Sequence, residues 1–357
     1  MTTPAPATRP NGDAGITIGL DTFGDVTNAA DGSTFSHAQT IRGLVEEGVL
    51  ADGVGLDYFG IGEHHTDAMP LSAADVVLSA IAARTGRIHL GSAVTVISSD
   101  DPVRVFQRYA TLDAVSGGRA EVILGRGSST ESFPLFGYDL GDYERLFEEK
   151  LDLFAELLKE KPVVWSGDTR PPLNGLTVYP HTESGPIPTW VGVGGSPQSV
   201  VRTARYGFSL MLAIIGGETA RFAPFAGLFA QALEKFGQPA RPVGVHAPGH
   251  VAATDEQAVE EFLPAFEAVF RRVSRERGFH PPTRESLARD IGPGGALHIG
   301  SPETVARKIT GTLKNLGATR FDLKYGMNGM PHSALMTSIE LYGTKVAPLV
   351  RDMMSDS

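Results

Sequence analysis

The amino-acid sequence predicts an α/β protein built as a closed (β/α)₈ TIM barrel, and three observations lead to it. Short β-rich runs alternate with longer helical patterns from one end of the chain to the other, which implies a parallel sheet covered by helices. Eight strand-helix units can be counted. A length of 357 residues accommodates eight such units in one barrel with insertions. An open doubly wound sheet is the alternative arrangement of the same alternation.

The units follow in order. The first four strand candidates are Ile16–Phe23 (ITIGLDTF), Leu56–Gly62 (LDYFGIG), Arg87–Val96 (RIHLGSAVTV) and Ala120–Gly125 (AEVILG). The second four are Pro188–Val193 (PTWVGV), Phe208–Ile214 (FSLMLAI), Val243–Ala252 (VGVHAPGHVA) and Arg320–Gly326 (RFDLKYG). Helical stretches lie between them, such as SAADVVLSAIAARTG after the second strand and SPETVARKITGTLKNLG before the eighth. Their ends carry stop and start chemistry. Asp101 is placed to cap the helix that Pro102 opens, and Gly117 with Gly118 to close it. Ser196 and Pro197 repeat that start signal after the fifth strand.

Three gaps are too long for simple loops: Gly127–Gly141, Lys161–Pro186 and Gly278–Gly300. They are expected to be insertions of the kind that cover the working face of a barrel. The first, with Phe133, Phe136 and Tyr138, suits a lid. Residues 1–14, rich in Pro, Thr and Ala, are expected to form a disordered tail, and residues 15–357 a single domain.

Composition narrows the function. The formal net charge is −10 and no Lys or Arg run is long enough to make a basic stripe, which disfavours nucleic acid and anionic membranes as partners. No stretch approaches the length of a membrane-spanning helix, and a cytoplasmic location is expected. The absence of cysteine excludes disulfides, thiolate metal sites, iron-sulfur clusters and a cysteine nucleophile. A small-molecule ligand is the expected partner.

The stretch GLDYFGIGEHHTD, Gly55–Asp67, places three titratable groups where an apolar strand ends. Side chains alternate along a strand, so Tyr58, Gly60, Gly62 and His64 share one face while Phe59, Ile61, Glu63 and His65 share the other. His64 is expected to face the lumen above two glycines that leave room for a flat ligand, and His65 to enter the helix layer. Adjacent histidines diverge, so no metal site is expected from the pair. Two histidines satisfied by neighbouring loops is the plainer reading. Arg126, at the end of the fourth strand, suits either a salt bridge or a ligand contact. The loop GVGGSP, with Gly194 and Gly195 before a helix opened by Ser196 and Pro197, reads as an anion cradle or as a tight turn. It lacks the last glycine of a Rossmann fingerprint, and no G-x-x-x-x-G-K-[ST] occurs.

Taken together, GLDTFGD (Gly19–Asp25), EHH (Glu63–His65), GSAVTVISSDDPVR (Gly91–Arg104), DAVSGGRAEVILGRG, VGVGGSPQSV and GMPHSALMTSIELYGTKVAP resemble, in that order, the bacterial luciferase-like flavin-dependent monooxygenases. The resemblance implies a (β/α)₈ barrel that uses reduced FMN and dioxygen, through a flavin hydroperoxide, to oxygenate a small organic substrate. It implies His64 as the catalytic histidine and a non-proline cis peptide at Ala93-Val94 beneath the isoalloxazine ring. It also implies a phosphate site made by Arg126 with Gly194, Gly195, Ser196 and Ser199. A separate flavin reductase and a homodimer are the implied partners. Deazaflavin-dependent hydride transfer in the same fold, a flavin-binding protein without turnover and a metal-dependent barrel hydrolase are the alternatives. Two departures stand out: Gly125 replaces luciferase's cysteine and Gly195 its phosphate-loop glutamate, so light emission is not implied.

Overall fold

The structure is a computed structural model that describes residues 15–127, 130–277 and 282–356. The tail expected at residues 1–14 lies outside the described residues.

Eight strands form the barrel: β1 (Thr17–Thr22), β2 (Tyr58–Ile61), β3 (His89–Ser92), β4 (Ala120–Gly125), β5 (Thr189–Val193), β6 (Ser209–Ala213), β7 (Val243–Val251) and β8 (Arg320–Tyr325). Each runs parallel to the next, and β8 returns to β1 with Thr17 opposite Arg320 and Asp21 opposite Lys324. Closure pairs every strand on both sides, which an open sheet cannot do. Residues of one parity face the helices and pack as Ile18, Leu20, Phe59, Ile61 and Leu90 in the main core. The other parity fills the lumen, where Tyr58, Ile123, Trp190 and Met211 form a second, smaller apolar cluster.

The third predicted strand is divided in two. β3 stops at Ser92, a cis peptide joins Ala93 to Val94, and Thr95–Val96 then pairs with Leu124 and Gly125 of β4. The helix Pro102–Ser116 begins as expected, with the Asp101 carboxylate accepting the Val103 N–H at 2.8 Å, and ends at Gly117 in the left-handed region.

The insertions have structure of their own. The first insertion carries a short helix, Ser132–Phe136, and leads into a helical turn, Leu140–Asp142. Within 161–186, Val163–Trp165 and Leu173–Leu176 pair as an antiparallel hairpin. The third stretch, expected to be insertion throughout, contains His298–Gly300 as a strand parallel to Gly249–Val251. The cause is the length of β7. It pairs with β6 only as far as His246, so its remaining N–H and C=O groups on that side need another partner.

Arg320 crosses the lower lumen between the rings of Tyr58, at 3.8 Å, and Trp190, at 4.7 Å. Its guanidinium donates to Glu121 at 2.7 Å and to Asp322 at 3.0 Å, and Glu121 also meets His89 at 3.2 Å. Ions this deeply buried are tolerated because each charge is neutralised and hydrogen-bonded. No described helix is long and apolar enough to cross a membrane.

Candidate active site at the barrel mouth

The C-terminal ends of the strands gather the titratable residues. His64, past the end of β2, is 9% exposed. Its main-chain N–H donates to Leu71 at 3.0 Å, its ring lies edge-on to Phe23 at 5.1 Å, and its Nδ1 is 3.0 Å from Oε1 of Glu131. His65 diverges from it as the alternation requires. It does not enter the helix layer, however. Its Nε2 lies 2.9 Å from Glu63, whose other oxygen accepts the Val96 N–H at 3.2 Å, and its ring packs on Phe136 of the first insertion at 5.2 Å. The anchored glutamate holds His65 at the strand end, against the short helix of the first insertion.

Gly60 and Gly62 do not leave an empty floor under His64. A Cβ on Gly60 would lie 2.8 Å from the Tyr58 ring and 3.1 Å from the Ala93 side chain, and one on Gly62 would lie 2.6 Å from Phe23 and 2.8 Å from the Ala93 carbonyl. The missing side chains make room for the cis bulge and the ring beside it. Gly125 and Gly192 serve the bulge from the other side, since Cβ atoms there would lie 2.5 Å and 3.2 Å from the methyl groups of Val94.

The Gly194–Ser199 loop follows β5. Ser196 caps the helix Pro197–Arg205, accepting the Ser199 N–H at 3.3 Å. Gly195 has a φ of +127°, and Cβ atoms added at Gly194 or Gly195 would meet nothing within 4 Å. Space above the helix N-terminus is therefore open, and the first-turn N–H groups face it without intrahelical acceptors. Ser199 is buried with an unpartnered hydroxyl, and Arg202, one turn on, has an unpartnered Nη1. Arg126 pairs with Glu144 and lies 5.3 Å over the Tyr143 ring. Glu144 also reaches Arg202 at 3.4 Å, so one carboxylate links Arg126 to the helix that the loop opens. These features fit an anionic phosphate, which would supply the acceptors that Ser199 and the guanidinium lack.

Sequence reading passed over several mouth residues. His246 on β7 holds Asp21 on β1 at 2.6 Å and stacks on Phe23 at 5.9 Å. Burial alone would lower its pKa, but the Asp21 carboxylate outweighs this and the net direction is upward. Lys324 binds Asp25 at 2.7 Å and the Gly326 carbonyl at 2.8 Å. Alternation in GLDTF places Asp21 and Phe23 on one face, a signal present in the sequence; nothing local pairs Asp21 with a histidine 225 positions away. Arg202 and Glu131 were likewise unmarked. Among the described residues, no group of three or more His, Asp or Glu side chains is placed to hold a metal.

Of the aromatic residues of the first insertion, Phe133 is fully buried, while Phe136 and Tyr138 border a cavity of about 420 Å³ whose lining includes Glu63, Asp75 and Tyr109. That cavity borders Glu63, the strand neighbour whose side chain alternates away from His64. The insertion touches the mouth itself through Glu131.

A closed parallel barrel with paired imidazoles and carboxylates at its C-terminal mouth, beside a glycine-lined helix N-terminus, has the framework of a barrel enzyme. The chain belongs to the luciferase-like monooxygenase family, whose model matches residues 22–320. It is 28% identical over 308 residues to limonene 1,2-monooxygenase of Rhodococcus erythropolis, covering 83% of this chain and 78% of that one. Among solved structures, monooxygenase RslO1 of Streptomyces bottropensis superposes with a TM-score of 0.79 at 21% identity, over 93% of this chain and 99% of that one. The FMN complex of the oxygenating constituent of 3,6-diketocamphane monooxygenase, from Pseudomonas putida, gives 0.73 at 17% identity, over 94% and 98%. An F420-dependent secondary alcohol dehydrogenase gives 0.72 at 18%, over 95% and 100%. At these identities the structures establish the shared fold.

Proposed function

We propose that the protein is a monooxygenase that binds reduced FMN at the barrel mouth and oxygenates a small organic substrate. The observation that carries this reading is the anion slot. Open space over Gly194 and Gly195, the unpartnered Ser199 hydroxyl, the Ser196-capped helix N-terminus and the guanidinium of Arg126 suit the FMN phosphate. Ala93 and Val94 would then carry the ring, and His64 would lie at its reacting edge. When bound, reduced flavin supplies the two electrons with which dioxygen is split between product and water. His64 moves a proton at that edge or polarises the substrate, Phe23 walls one side of the imidazole, and the first insertion keeps water away.

Reduced FMN comes from a separate flavin reductase, in keeping with the missing dinucleotide fingerprint. Exposed Val76 and Val115, on the helices Ala74–Ala82 and Pro102–Ser116, support a homodimer interface. A deazaflavin-dependent oxidoreductase is the second reading, favoured by the likeness to the F420-dependent dehydrogenase. The protein is expected to quench FMN fluorescence on binding more strongly than that of a deazaflavin. Arg126→Ala is expected to weaken FMN about ten- to a hundredfold, the worth of a charge-assisted contact, and to leave the weaker binding of riboflavin nearly unchanged. Equal weakening of both flavins would remove Arg126 from the phosphate site, and tighter binding of deazaflavin would replace the FMN reading.

A further inference from the structure

We propose that Glu131, in the insertion after β4, is the positioning residue of His64: its carboxylate takes the Nδ1–H and leaves Nε2 as the atom that accepts a proton at the mouth. This rests on the reading of His64 as the acid-base group.

The geometry comes first. Nδ1 and Oε1 are 3.0 Å apart, with the His64 side chain 11% exposed and that of Glu131 23% exposed. An ionised carboxylate only accepts hydrogen bonds, so Nδ1 carries the hydrogen and the neutral ring keeps its lone pair on Nε2. No described residue is hydrogen-bonded to Nε2. The ring has little freedom to turn, because Phe23 flanks it at 5.1 Å and the His64 main chain is tied to Leu71.

The surrounding charges are arranged in pairs. Asp21 and His246 lie beyond Phe23, Lys324 and Asp25 adjoin the same ring, and Glu63 with His65 occupy the opposite face of the strand. Each of these carboxylates is engaged by a partner of its own, which leaves Glu131 as the carboxylate bonded directly to His64. Glu131 stays ionised: burial would raise its pKa, but the His64 hydrogen bond, with backbone N–H groups of its own residue and His65, brings it to about 2. When Nε2 takes a proton from the reacting group, the ring becomes an imidazolium with both hydrogens in place. Glu131 stabilises that charge without itself gaining the proton.

The test is a ¹⁵N NMR titration of the histidines in cofactor-free protein, comparing wild type, Glu131→Gln and Glu131→Asp, with FMN affinity measured on the same samples. Wild-type His64 is expected to show the Nδ1–H tautomer. Glu131→Gln should lower its proton affinity about tenfold and move the pH profile of the FMN-dependent reaction with it. Glu131→Asp should restore part of the effect, and FMN affinity should change less than twofold in either variant. A wild-type Nε2–H tautomer, or a His64 titration indifferent to Glu131→Gln, would overturn the proposal. Failure of wild-type protein to bind FMN would instead overturn the flavin reading and leave the titration result standing.

Discussion

At the scale of single residues, the mouth is shaped by what is missing from glycine. Luciferase carries a cysteine where this chain has Gly125, and the structure gives the reason a side chain is unwelcome here. A Cβ at 125 would fall 2.5 Å from one Val94 methyl and 3.0 Å from its Cβ. Gly125→Ala therefore has to push Val94 and the bulge that carries it, at a cost of about 1–3 kcal/mol for overpacking. Val94→Ala removes those methyls. The double variant is expected to recover most of the loss in a denaturant-unfolding cycle, and simple additivity would show that Val94 is not the obstacle. His246 makes a different prediction. Its pKa is raised in the folded state, so the stability it contributes is complete below the unfolded value near 6.5 and fades as pH rises through the folded one. His246→Gln should consequently cost more stability at pH 6 than at pH 9.

At the scale of elements, seven of the eight strands match expectation to within about two residues because each is a compact apolar run bounded by turn chemistry, while the third ends four residues early. The two departures arise from contacts between distant segments. Arg87–Val96 reads as one strand by composition, yet the chain bulges at Ala93-Val94 where glycines from β2, β4 and β5 leave room. His298–Gly300 is too short to stand out locally and exists because β7 outruns β6. Gly249 lies at that junction, where a Cβ would come 2.3 Å from the His298 carbonyl oxygen. Backbone cannot yield as a flexible side chain can. Gly249→Ala should destabilise the protein by about 1–3 kcal/mol and speed hydrogen exchange at the amides of residues 298–300 before the rest of the barrel responds. Unchanged protection at those amides would mean the short strand is not held by this contact.

At the scale of the whole molecule, Arg320 ties the barrel floor together through Glu121 on β4, Asp322 on its own strand, and the rings of Tyr58 and Trp190. Arg320→Ala leaves Asp322 buried without its cation and Glu121 with His89 alone, and is expected to cost about 3–5 kcal/mol in urea unfolding. A loss under 1 kcal/mol would contradict that role. Burial would raise the Glu121 pKa, but Arg320 and His89 bring it down to about 2. Its stabilising contribution is thus present above the unfolded value near 4.5 and lost as pH falls toward 2, so Glu121→Gln should flatten the acid limb of the stability curve.

Periodicity, capping residues and turn glycines are local properties, and they determined the strand order, the barrel class, the helix starts at Asp101 and Ser196, and the strand-end placement of His64, Arg126 and the Gly194–Ser199 loop. Partnership is not local. That Glu131 receives His64, that Asp21 receives His246, that Glu144 joins Arg126 to Arg202, and that His65 packs beneath Phe136 were decided only by the tertiary structure. Closing the barrel brings together residues as distant as Asp25 and Lys324, 299 positions apart, and the hydrogen-bond demand of a buried polar atom is met by whichever partner that closure delivers.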